Sequence, residues 1–163
     1  MSENTPSPFG ESPTPAPVAA PAKPLVDQLP PALIANLNLI VGGIAVLMVL
    51  FLFFPAVSFR GFGSSNFFDG GAVVWGPMLI LGLVTATLAV LVYLKKFPEL
   101  TFTAALFGAV TGLSGMFVGF GAGAGTTGSL GIGAWLMGFF GLILLAASAL
   151  WAFVQLQDKK AVA

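Results

Sequence analysis

The sequence contains no cysteine and no histidine. Those two absences remove disulfides, thiolate nucleophiles, Cys/His zinc sites, haem ligation through either side chain and the usual proton shuttle. Charge is scarce as well: Asp, Glu, Lys and Arg make up 7% of the residues, and six basic side chains cancel six acidic ones. A chain without a net field has nothing to draw nucleic acid towards it, so neither DNA nor RNA is an expected partner. The position of the charges excludes more. None falls in the four long apolar stretches, 33–54, 73–94, 101–120 and 132–156, although ionisable residues inside a membrane are the usual mark of ion paths, proton relays and transport sites. No paired carboxylates, Ser/Lys dyad or metal cluster can be assembled near one membrane face either, so the expected protein is not an enzyme and has no cofactor.

What is present is apolar surface. Hydrophobic residues account for 57% of the chain and the mean hydropathy is +1.00, values that belong to an integral membrane protein. Each of the four stretches has about the 20 residues needed to cross a hydrocarbon core of ~30 Å. The expected fold class is therefore an all-α membrane protein, a four-transmembrane-helix bundle made of two hairpins over 32–157, lying in the plasma membrane. Before it, residues 1–31 hold nine of the twelve prolines among Ser, Thr, Ala and Glu. That composition predicts a disordered Pro-rich N-terminal tail, and it lacks the basic start and apolar core of a secretory signal peptide. Residues 158–163 are expected to form a short tail on the same side.

Side chains along the spans have expected places. Asn36 and Asn38 should meet water, backbone or headgroups at the start of the first span. Trp75 and Tyr93 bracket the second span, and Trp135 and Trp151 the fourth, as amphipathic anchors in the headgroup belts. Thr85 and Thr87 are expected to bond back to their own helix. The loop after the first span is rich in Phe, including Phe67 and Phe68, and is expected at the interface or capping the bundle. Its Arg60 and Asp69 are candidates for an orienting ion pair. Lys95 and Lys96 in the short turn between spans two and three, with Lys159, Lys160 and Lys23, fall on one side of a four-span protein and leave Arg60 on the other. Five cations against one predict cytoplasmic termini.

The third span carries the clearest packing signal. Gly108, Gly112, Gly115 and Gly119 recur at i, i+4, i+7 and i+11, one stripe of a helix. In water such a helix would be poor, since each interior glycine costs roughly 1 kcal/mol against alanine. In lipid, where the hydrophobic effect does not press helix on helix, small residues that let backbones approach become the main route to tight packing. Ala134, Gly138 and Gly141 in the fourth span form a matching seam, so spans three and four are expected to meet there. The glycine-rich 121–131 loop lacks the GK[ST] ending of a P-loop and follows no strand, which argues against nucleotide and for a flexible connection. The GGAVVWGPMLILG and LGIGAWLMGFFGLIL segments each place Trp a few residues after glycine, the pattern of two hairpins running in parallel.

The run Pro55-Ala-Val-Ser-Phe after the first span, the Gly-rich outer loop, the short basic turn and Gly131-Ile-Gly-Ala-Trp-Leu opening the fourth span resemble small four-span membrane proteins of actinobacteria. The layout is most similar to the mycobacterial antigenic membrane protein family, which pairs a four-helix domain with a Pro-rich tail. In this chain the Pro-rich segment precedes the helices. The resemblance implies a role in the cell envelope or division machinery, with no cofactor or catalytic residue carried over. The expected function is a non-enzymatic assembly or accessory subunit of a larger envelope, division or respiratory membrane complex, in contact with membrane lipids. The alternatives are a lipid or small-molecule binding protein with a pocket under the Phe-rich outer loop, and a channel formed as a homo-oligomer.

Overall fold

The computed structural model describes residues 29–59, 63–70, 72–122 and 128–162. The expected 1–31 tail therefore lies almost wholly outside the described residues. A short helix α1 (Pro31–Ala35) leads into α2 (Leu37–Phe51). The two are separated at Asn36, whose φ of −107° leaves the helical range and whose Nδ2 bonds back to the Ala32 carbonyl at 2.8 Å. Three further helices follow: α3 (Ala72–Tyr93), α4 (Thr101–Gly121) and α5 (Ile132–Val162). Segments of α3, α4 and α5 are long and apolar enough to cross a bilayer; α2 is equally apolar but has 15 residues. At 1.5 Å per residue α2 covers only about 22 Å. The protein is thus mostly helical, and its three long helices are those of a membrane-embedded chain.

Two features depart from an all-α bundle with loose outer loops. The segment after α2 forms an antiparallel hairpin of β1 (Pro55–Phe59) and β2 (Gly63–Asn66), and β3 (Ser129–Leu130), from the connection between α4 and α5, pairs on the other edge of β1. The order is β2-β1-β3, a three-stranded sheet across one end of the bundle. Register holds Val57 opposite both Ser65 and Leu130, with an irregularity between Pro55 and Val57. Glycine lets the second connection sit so close: a β-carbon on Gly128 would stand 2.5 Å from Val57 Cγ1, and one on Gly131 would strike the Pro55 carbonyl. The Gly131 N–H also donates to the Ala56 carbonyl at 2.8 Å. The end of the 121–131 connection is thereby fixed to β1. The other departure is α5, which continues through Lys159 and Lys160 to Val162, so most of the expected 158–163 tail is helical.

Many large apolar side chains face outward, while the core mixes small residues with large ones such as Met48, Leu52, Met78 and Met137. Ile80, Phe117, Phe139 and Leu142 are exposed, whereas Val41, Ala45, Ala104, Ala134 and Leu144 are fully buried. The most extensive pairing is α4 with α5, followed by α2 with α3.

Candidate functional site

The buried face of α4 consists of Ala104, Ala105, Gly108, Thr111, Gly112, Gly115 and Gly119. All four glycines of the stripe lie against α5. A β-carbon on Gly112 would stand 2.6 Å from the Leu145 nitrogen and 2.7 Å from the Gly141 oxygen; one on Gly119 would lie 2.6 Å from the Ala134 oxygen and would collide with the Gly138 nitrogen. On the other side, a β-carbon on Gly141 would be 2.6 Å from the Met116 nitrogen. Gly108 faces Ser148, a buried hydroxyl without a hydrogen-bond partner among the described residues. Gly115 also looks towards the methyl ends of Met48 on α2 and Met78 on α3, with the Gly141 Cα of α5 3.6 Å from a β-carbon placed on it.

Other helix contacts use residues that the stripe did not mark. Gly42 would clash with Ala89, and Gly82 with Val49, if either carried a β-carbon, so these glycines close the α2–α3 pair. Thr87 bonds to the Leu83 carbonyl of its own helix at 2.8 Å. Thr85 does not follow suit: its hydroxyl lies 2.7 Å from that of Thr111, a buried link between α3 and α4, and Thr111 is also 2.7 Å from the Phe107 carbonyl. The spacing of Thr85 gave no hint of which helix would answer it.

The expected anchors divide. Tyr93 and Trp135 are half exposed, Trp135 with its ring 5.9 Å from Phe120. Trp75 packs on Phe68, which also stacks near Phe53, at 5.1 Å in both cases, so Phe68 ties the end of α2 to the start of α3. Trp151 is the correction. It is 4% exposed and lies in the core, because it sits seven residues after Leu144 and three after Ser148, on the buried face of α5. Its depth suited the belt, but its direction is inward. Lys95 adopts φ 54° and ends α3: the Lys95 and Lys96 amides return to the Val92 and Leu91 carbonyls at 2.9 and 3.3 Å, a Schellman cap. Lys96 is exposed in the same turn. Arg60 and the side chains of Lys159 and Lys160 lie outside the described residues. Asp69 has a partner of its own: its Oδ2 accepts the Asn66 N–H at 2.9 Å, while Asn66 Oδ1 accepts the Phe68 and Asp69 amides. This reciprocal cap shapes the turn at Phe67–Gly70.

That turn borders a cleft of about 640 Å³ at the sheet end of the bundle. Ala56, Val57 and Phe59 of β1 line one side, Phe117, Val118 and Gly121 of α4 with the following Ala122 the other, and Ser65, Asn66, Phe67, Asp69 and Gly70 the edge between them. Most of the wall is apolar, with the polar groups gathered at the rim. Phe117, 66% exposed, stands at the lipid-facing edge. A volume in the range of small-molecule sites (about 300–1,000 Å³), apolar walls and a few placed polar groups are what an amphipathic ligand requires. Among the described residues, smaller recesses occur elsewhere. One of about 260 Å³ runs along the outside of α2 and α3 past Gly42, Gly43, Ala86 and Ala89. Another, about 240 Å³ and lined by polar groups, lies at the end opposite the sheet, between Asn38, Lys95, Thr101, Trp151 and Gln155.

Compared with known proteins, the chain matches no family model, no curated protein and no solved structure.

Proposed function

We propose that this is a non-enzymatic membrane protein of four crossings that holds an amphipathic, lipid-like ligand in the cleft beneath its sheet. The observation that carries the proposal is the cleft itself, an apolar volume with a polar rim, open at the depth where α4 ends. The fourth crossing is supported by the ends of the first helical segment. Ile34 and Asn38 share a recess with Val92, Pro98 and Thr101, while β1, just beyond α2, joins the sheet at the opposite end. From Pro31 to Phe51 the segment α1–Asn36–α2 has 21 residues, about 31 Å at 1.5 Å per residue, enough for a hydrocarbon core of ~30 Å. With the sheet outside and the lysine-rich turn inside, both termini lie in the cytoplasm and the protein sits in the plasma membrane. Asp69 is engaged in its cap and the chain has no Cys or His, which leaves binding rather than catalysis for the rim.

Gly121 gives a clean test. A β-carbon there meets nothing within 4 Å, so a Gly121→Trp side chain can enter the cleft without displacing backbone. Native mass spectrometry of the gently extracted protein should find a bound lipid-sized mass, and Gly121→Trp should lose it while melting at the same temperature. A protein that carries no ligand, or a variant that carries the same one, refutes the proposal.

A second reading, the accessory subunit of a larger envelope, division or respiratory complex, rests on the α2–α3 recess. Gly43 is exposed in it and a β-carbon there meets nothing, which is the shape needed by a partner's transmembrane helix. In the same spectra, a heteromer lost on Gly43→Leu and kept on Gly121→Trp would favour this role, and a homo-oligomer lost on Gly43→Leu would make the recess a self-interface.

A further inference from the structure

The recess opposite the sheet has a chemistry unlike the rest of this apolar protein. Among its lining residues Lys95, whose side chain is exposed, carries an ammonium, Asn38 and Gln155 carry amides, and Trp151 carries an indole N–H, which donates only. Asn38 already uses Oδ1 to accept the Leu39 N–H at 2.9 Å, so its free capacity is the Nδ2 donors. Thr101 spends its hydroxyl proton on the Pro98 carbonyl at 2.5 Å. No carboxylate lines the recess among the described residues; Glu99 lies in the same turn, exposed and outside the lining. The free groups are thus mostly donors, with one full positive charge.

Helix ends reinforce this bias. Thr101 opens α4 and lines the recess, so the positive dipole end of that helix lies there, although the Thr101 N–H itself is spent on the Pro98 carbonyl. The opposing negative end belongs to α3, but the Leu91 and Val92 carbonyls are covered by the Lys96 and Lys95 amides of the cap. The cap that holds Lys95 at φ 54° therefore removes acceptors from the same place where the side chain brings a cation. Tyr93, half exposed two residues earlier, marks this level as the headgroup layer.

We infer that this recess binds a phosphate group, held by the Lys95 ammonium and by the Asn38, Gln155 and Trp151 donors. The phosphate belongs either to a phospholipid headgroup or to a free phosphate ion, and the experiment separates the two. In a Trp75→Phe/Trp135→Phe background of the full chain, Trp151 is the remaining tryptophan of the original three. Its emission is followed in a neutral detergent while phosphatidylglycerol or, separately, inorganic phosphate is added.

The expected result is a saturable change in emission. Lys95→Gln should weaken it by about tenfold or more, the worth of one hydrogen bond to a charged group, and Lys95→Arg should preserve it. Lys96→Gln, adjacent but outside the lining, should shift it by less than about twofold. Saturation by phosphatidylglycerol alone assigns a lipid headgroup, and saturation by inorganic phosphate assigns the free ion. Saturation by neither overturns the inference, as does an equal loss in Lys95→Gln and Lys96→Gln, which would mean diffuse surface charge. A rise in Tm of the unsubstituted protein with the same additive, abolished by Lys95→Gln, repeats the test without the tryptophan changes.

Discussion

Replacing Gly112 by alanine adds a single carbon to α4, and the seam with α5 determines what that carbon does. The new atom would lie 2.6 Å from the Leu145 nitrogen, roughly 0.8 Å short of the 3.4 Å at which ordinary contact begins. All three of its nearest neighbours are backbone atoms of α5, so no rotamer change can make room and the helices themselves must part. Each atom pair along the seam then loses part of its dispersion energy, since a 0.5–1 Å gap forfeits about a quarter to a half of the well. Overpacking of this kind costs about 1–3 kcal/mol. Alanine returns about 1 kcal/mol through its better helix propensity, which leaves a net loss of up to about 2 kcal/mol. At this chain length Tm shifts by about 2–4 °C for each kcal/mol. Gly112→Ala should therefore melt several degrees lower and be cut faster by protease, and Gly112→Leu should be worse. Gly43→Ala makes the same chemical change into open space and should leave Tm unchanged or raise it. Differential scanning fluorimetry on the three variants decides the matter. If Gly112→Ala melts above the wild type, or Gly112→Leu melts with it, the seam is not a close helix contact.

The nearest neighbours of a β-carbon on Gly115 are the flexible ends of Met48 and Met78, with backbone only at 3.6 Å, so Gly115→Ala should lower Tm less than Gly112→Ala in the same assay. Thr111→Val should cost about 1 kcal/mol in unfolding experiments by stranding the buried Thr85 hydroxyl, and Thr85→Val added to it should recover part of the loss. Ser148→Ala removes a buried hydroxyl that has no partner among the described residues and should be neutral or stabilising. Since the chain has no cysteine, a cysteine placed at the exposed Ser64 of β2 should react with an impermeant maleimide in intact cells; reaction only after the membrane is opened would reverse the topology.

The long helices were legible because an uninterrupted apolar run of about 20 residues has few other uses. The stripe of α4 was legible for a related reason: glycines at helical spacing are costly unless a neighbour approaches. The first span was read as one helix over 33–54, while the structure breaks it at Asn36. There a side chain bonds to backbone four residues earlier, a local competition that hydropathy does not register. The sheet is not legible because the local partner of its central strand, Gly63–Asn66, has little strand propensity, and because the other edge pairs with residues about seventy positions away, a contact created by helix packing. In Pro55-Ala-Val-Ser-Phe the β-branched and aromatic residues were a faint local signal. Trp151 was assigned by depth alone, although its spacing from Leu144 and Ser148 already placed it on the inner face. The cleft follows from the sheet, so the Phe-rich loop could hint at a pocket but not at its walls.

The proposed ligand site is tested most directly by photolabelling. A lipid carrying a diazirine on its acyl chain is incorporated into membranes that contain the protein, activated by light, and the labelled positions are mapped by peptide mass spectrometry. Label should concentrate at Phe117–Ala122 and Ala56–Phe59 above the level on the outward faces of α3 and α5, and Gly121→Trp should abolish that excess. Uniform label on all outward-facing apolar residues, unchanged by Gly121→Trp, would mean that the cleft holds no lipid.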